Sequence, residues 1–176
     1  MQVSVFNLLK KYPELLDLEY LSNAERIRSL IAIFNRDIAD NNDFSFRGSR
    51  IWPIKSNGTI PMELLFDHLT TVKEQDSENK EKRFFDIDRS KRLHWIRPHT
   101  EEEIKDEIVY FSYEDRINGK SVIRTYLYNK LQKYVIVLEP QRQPSNYYLL
   151  TAYYLNRPEG EKIILKKLKR KLDVVV

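Results

Sequence analysis

Five side chains in the second half of the chain are of the types that phosphate chemistry uses. His94 lies in the run RSKRLHWIRPH, flanked by Arg89, Arg92 and Arg97. Histidine is the side chain best suited to move a proton near neutral pH. Neighbouring guanidinium groups would lower its pKa and hold a phosphate. Arg124, in IRTYLY, offers a cation that could stabilise charge developing on phosphorus. Glu139, in KYVIVLEP, offers an acid, and Thr151 and Tyr153, in YYLLTAYYL, offer a hydroxyl and a phenol. His99, just after Pro98, is a weaker proton carrier, and His68 stands alone in a short apolar helix.

Strands must position most of these groups. Four runs rich in Tyr, Val and Ile predict strands at Val109–Tyr113, Val122–Tyr128, Tyr134–Glu139 and Tyr147–Leu155. Asn118-Gly119 is a hairpin signal, and the short links between runs imply an antiparallel meander. Pro140 to Asn146 reads as a longer loop. Successive strand residues point to opposite faces. One arrangement buries the apolar sets against helices and leaves Arg124, Tyr126, Tyr128, Lys133, Glu139, Thr151 and Tyr153 together on the other face. That face could bind a phosphodiester and stack bases on tyrosine rings. The same residues also suit an ordinary solvated sheet face.

Before the strands, residues 86–99 read as a helix, with Asp86 or Asp88 as N-cap, Leu93, Trp95 and Ile96 buried, and Arg89, Lys91 and Arg92 on its basic side. Thr100 with Glu103 suggests a capping box for a second short helix. After the strands, EKIILKKLKRKL predicts a helix over residues 161–172 with Ile164, Leu165, Leu168 and Leu172 on one stripe. Lys166, Lys167, Lys169 and Arg170 make its basic flanks. Residues 1–82 read as a helical preface: a helix at 3–17 interrupted near Pro13, and an amphipathic helix at 24–39 opened by Ser22-Asn23, with Ile27, Leu30, Ile31, Phe34 and Ile38 as its buried stripe. A short helix follows Pro61, and the charged run 70–82 reads as an exposed linker between 1–82 and 83–176.

Composition narrows the function classes. Hydrophobic residues form 41% of the 176, enough for a core, so wholesale disorder is excluded. The absence of cysteine removes disulfides and thiol catalysis and suits a reducing compartment. No apolar run approaches the roughly 20 residues of a membrane span, and the N-terminus lacks signal-peptide features, which points to a cytoplasmic protein. There is no phosphate-cradling glycine loop and no metal-ligand spacing, so neither cofactor nor metal is expected. Residues 1–82 carry 11 Lys/Arg against 13 Asp/Glu, a net −2; residues 83–176 carry 19 against 13, a net +6. The basic half is where a polyanionic partner, RNA above all, is expected.

The series RSKRLHWIRPH, IRTYLY, KYVIVLEP and YYLLTAYYL resembles phage and mobile-element proteins of the barnase–EndoU–colicin–RelE fold, over about residues 83–172. Arg89 and His94 also fit the loose Arg-x4-x6-His pattern of the all-helical HEPN ribonucleases, but a sheet directly after them does not fit that fold. The first resemblance implies an α+β fold: N-terminal helices, then a helix packed on a four-stranded antiparallel sheet and a basic C-terminal helix. It further implies a metal-independent endoribonuclease, of the toxin or phage-defence kind, with His94, Arg124, Glu139, Thr151 and Tyr153 at the site and a neutralising protein partner. The other readings of the same surface are a non-catalytic nucleic-acid-binding protein and a protein–protein module, since Tyr and Arg are enriched in interfaces.

Overall fold

A capping box opens the best-defined helix of the N-terminal region. The Ser22 hydroxyl accepts from the Glu25 amide while the Glu25 carboxylate accepts from the Ser22 amide, starting a helix at Asn23. In the computed structural model, which describes residues 2–55, 57–141 and 145–176, the elements are α1 (Gln2–Leu9), α2 (Asn23–Phe34), β1 (Ser45–Phe46), β2 (Ser49–Pro53), α3 (Met62–Thr70), β3 (Thr71–Gln75), β4 (Glu81–Phe85), α4 (Ile87–Ser90), α5 (Ile96–Thr100), β5 (Ile108–Ile117), β6 (Lys120–Asn129), β7 (Tyr134–Pro140), β8 (Tyr147–Tyr154) and α6 (Pro158–Lys169). No helix among the described residues is long and apolar enough to cross a membrane.

The fold is mixed α+β, but the sheet has six strands, in the order β1-β2-β8-β7-β6-β5. The expected four-stranded meander is its β5–β8 part. Two strands from the supposed helical preface complete it: β2 pairs in parallel with β8, placing Ile51, Trp52 and Pro53 beside Tyr147, Tyr148 and Leu149. Asn118 and Gly119 both take positive φ, as a type I′ hairpin between β5 and β6 requires. The loop expected between β7 and β8 lies partly outside the described residues.

Two cores hold the sheet. The inner face, through Leu127, Tyr134, Ile136, Leu138, Leu149 and Ala152, packs on Leu16, Leu18, Leu30, Ile33 and Phe34 of the N-terminal region and on Leu93, Trp95 and Ile96. Residues 1–82 and 83–176 therefore share one core. The outer face, through Phe111, Tyr126, Tyr128, Val135 and Val137, packs on Leu155 and on Ile164 and Leu168 of α6. Leu165, also expected on that stripe, is exposed.

Several expected elements take other forms. The helix expected at 3–17 ends at Leu9, and Leu16 and Leu18 enter the core from a non-helical segment. On α2 the buried stripe is Leu30, Ile33 and Phe34, while Ile27 and Ile31 are exposed; a π-helical turn over Asn35–Ala39 extends it and buries Ile38. The expected linker is a hairpin of β3 and β4. The helix expected over 86–99 breaks into α4, a 3-10 turn at Leu93–Trp95, and α5, with Asp86 as the N-cap of α4. No helix follows Thr100: its hydroxyl donates to the Arg97 carbonyl, and Glu102 sits at a positive φ of 55°. That backbone conformation cannot continue a right-handed helix.

Candidate nucleic-acid interface on the outer sheet face

Cross-strand register decides which of the chemical groups meet. Tyr126 lies opposite Val137, which lies opposite Thr151, and Arg124 lies opposite Tyr113. By alternation Arg124, Tyr126, Val137, Glu139, Thr151 and Tyr153 all belong to the outer face. A β-bulge makes this possible. Between Val137 and Leu138 the pairing skips Leu150, so Thr151 faces outward with Leu150 while Leu149 returns to the inner core. Strict alternation along β8 would place Leu149 on the outer face beside Thr151; the bulge corrects that expectation.

Shared orientation does not make a single site. Glu139 pairs with Tyr148, five residues before Tyr153 on β8, so the backbone positions of Glu139 and Tyr153 lie about 15 Å apart along the strand direction. At the β8 edge, Arg89 of α4 reaches the outer face. Its Nη1 donates to the carbonyls of His68 (2.7 Å) and Thr71 (3.0 Å) and to the Thr151 hydroxyl (3.4 Å). The Arg89 guanidinium also lies 5.9 Å from the Tyr153 ring centre. Burial pushes the Tyr153 phenol up to about 12, against the pull of Arg89 and Arg124, so it remains a proton donor at neutral pH. The buried Nε atoms of Arg89 and Arg124 have no hydrogen-bond partner among the described residues. A cavity of about 250 Å³ lies beside Arg89 and Tyr153, with Arg157, Asp86 and Glu159 in its wall.

The middle of this face is not open, contrary to expectation. Tyr126 and Tyr128 are buried beneath α6 and cannot stack on bases. The Tyr126 hydroxyl donates to Asp115, and Lys167 donates to both Asp115 (2.6 Å) and Tyr126 (2.8 Å). Burial and the hydrogen bond to Asp115 push the Tyr126 phenol up. Tyr128 donates to Glu161 at 3.2 Å, and burial raises its phenol to about 12. Lys133 lies in the β6–β7 turn, not on a strand, and pairs with Glu161 at 3.4 Å. Lys166, Lys169 and Arg170 remain exposed on α6 and just after it.

His94 lies in the other layer. Its Nε2 is 2.9 Å from the Glu14 carbonyl, which can only accept, so that nitrogen carries the proton. Trp95 beside it packs edge-on against Tyr134 of the inner face. Burial holds the His94 imidazole down to about 4, so it is neutral at neutral pH and separated from Arg124 by the sheet. The shared site expected for His94 and Arg124 is therefore not formed. Arg92, expected to bind nucleic acid, is buried with its guanidinium 3.8 Å over the Tyr154 ring. Arg97 pairs with Glu101 at 2.9 Å on the helical side. That side holds a cavity of about 680 Å³, lined by His94, Tyr12, Arg36 and Arg97 among others, where Asp37 and Glu101 neutralise the arginines.

A further outward row was not anticipated. Trp52 of β2 lies beside Tyr148, which lies opposite Glu139, one residue beyond the Thr125–Leu138 pair that puts Arg124 next in line. Trp52, Tyr148, Glu139, Arg124 and Tyr113 are all half-buried. The sequence signal was RIWPIK, an extended run with a cation two residues before an aromatic, but its partner strand lies some 95 residues away. No protein-family model, curated protein or solved structure matches this chain.

Proposed function

We propose that this protein binds single-stranded RNA through the exposed part of its outer sheet face. The observation that carries the reading is the pair of guanidinium groups on this face, Arg89 and Arg124, whose buried Nε atoms have no hydrogen-bond partner among the described residues. A phosphodiester supplies the acceptors such groups need. The exposed cations of α6 continue the positive surface. Fluorescence anisotropy with a labelled single-stranded oligoribonucleotide tests this. Binding should weaken with salt at a slope near −0.7 per phosphate contacted, and Arg124→Ala should weaken it in a protein that stays folded. Absence of binding at low salt would overturn the reading.

A second reading is metal-independent cleavage of the bound strand, and the position of Glu139 favours it. The carboxylate stands between Arg124 and Tyr148 on three adjacent strands. Glu139 would take the proton of a 2′-hydroxyl, whose oxygen attacks the adjacent phosphorus. Arg124 would stabilise the charge developing there, and the 5′-oxygen would leave with a proton from water or the Tyr148 phenol. A toxin or phage-defence role, and a neutralising protein partner, go with this second reading and rest on the sequence resemblance.

A further inference from the structure

We infer that the row Trp52–Tyr148–Glu139–Arg124, together with Arg50, is a base-stacking platform for single-stranded RNA; this rests on the RNA-binding reading above and assigns the N-terminal region a part in it. Adjacent strands lie about 4.8 Å apart, so the Trp52 indole and the Tyr148 phenol are immediate neighbours on the sheet surface. The Arg50 guanidinium lies 4.1 Å over the Trp52 ring, presenting a flat cationic plane, and its buried Nε has no partner among the described residues. Bases stack on aromatic rings and on guanidinium planes alike. Arg124 further along the row supplies a second charge for the backbone. α6 reaches only as far as Tyr113, where Lys167 lies over the ring; the cluster it shares with Phe111, Tyr126, Tyr128, Val135 and Val137 leaves Arg124, Glu139, Tyr148 and Trp52 beyond it along the strands.

The occupant is single-stranded because the aromatic component of the site requires it. Ring faces are useful only to unpaired bases, whereas phosphate-binding cations serve any polyanion. Stacking is also tolerant of sequence, since every base has a π-face. Glu139 between the two halves of the row disfavours a phosphate directly above it and leaves that position to a base edge or a 2′-hydroxyl.

The experiment compares two labelled ten-residue probes, oligouridylate and an abasic ribose-phosphate strand of equal length, against the whole protein and its Trp52→Leu, Tyr148→Leu and Arg124→Ala variants. Both leucine variants should lose about 5- to 100-fold in affinity for oligouridylate and bind the abasic strand as the wild type does. Arg124→Ala should weaken both probes. Folded leucine variants that keep wild-type affinity for oligouridylate, while Arg124→Ala loses it, would overturn the platform and leave the RNA-binding reading standing. A wild type that binds neither probe would overturn both. If a leucine variant does not fold, tryptophan emission of the wild type decides. Trp95 is fully buried, so quenching by saturating oligouridylate reports Trp52 and supports the platform, and bound oligouridylate without quenching overturns it.

Discussion

The Lys167 ammonium lies 2.6 Å from the Asp115 carboxylate and over the rings of Tyr113 and Tyr126. This contact ties α6 to β5 and β6 and closes the middle of the outer face. Asp115→Ala leaves the Lys167 ammonium and the Tyr126 hydroxyl partly buried without their acceptor. It should cost about 2–4 kcal/mol of stability in urea unfolding. A double-mutant cycle with Lys167→Met should show a coupling of about 1–3 kcal/mol, and additive losses would mean the pair contributes nothing specific.

His94 and His99 make stability depend on pH. An imidazole that takes its proton near pH 6.5 in the unfolded chain, but only near pH 4 when buried, leaves the unfolded state holding more protons between those values. Stability should be fully present above about pH 6.5 and fall towards pH 4, by about 3 kcal/mol for each histidine across the window. Urea midpoints measured from pH 4.5 to 7.5 check the slope. The imidazole proton resonances of both residues should not titrate between pH 5.5 and 8.

Placement of His94 behind the sheet separates its role from that of Arg124. His94→Ala should lower the urea midpoint and leave the RNA affinity of the folded fraction within twofold of wild type, whereas Arg124→Ala should do the reverse. Anisotropy titrations at matched folded concentration read this directly. A His94 variant that folds normally and loses RNA would move the interface to the helical side.

If the protein cuts RNA in EDTA, Glu139→Gln should slow it by about 10²–10⁴ and Arg124→Ala by a comparable factor, with 2′,3′-cyclic phosphate ends on the products. His94→Ala and His68→Ala should leave the rate unchanged. A time course on labelled RNA decides, and cleavage that persists in Glu139→Gln would discard this carboxylate as the base.

The capping box of α2 gives a purely local prediction. Ser22→Ala should cost about 1 kcal/mol, and Ser22→Asp should restore most of it, as read from thermal midpoints.

What the sequence by itself determined was local. Ser22 and Asp86 are N-caps because a short oxygen-bearing side chain satisfies orphan amides within three residues, whatever the rest of the chain does. Asn118-Gly119 turns because both positions tolerate positive φ. The β5–β8 meander follows from Tyr, Val and Ile runs with short links. The uninterrupted apolar run Tyr134–Leu138 also carried a warning, because a strand buried on both faces needs cover on both. Only tertiary structure named that cover as α6, closing the face on which Tyr126 and Tyr128 had been expected to stay open. Only tertiary structure could place His94 and Arg124 on opposite sides of the sheet, since helix periodicity does not tell which layer a helix joins. The bulge at Leu150 re-aims one side chain by a single unpaired residue, and strict alternation gives no notice of it. The parallel pairing of β2 with β8, which brings Trp52 to Tyr148, joins residues some 95 apart through backbone hydrogen bonds that any strand sequence could make.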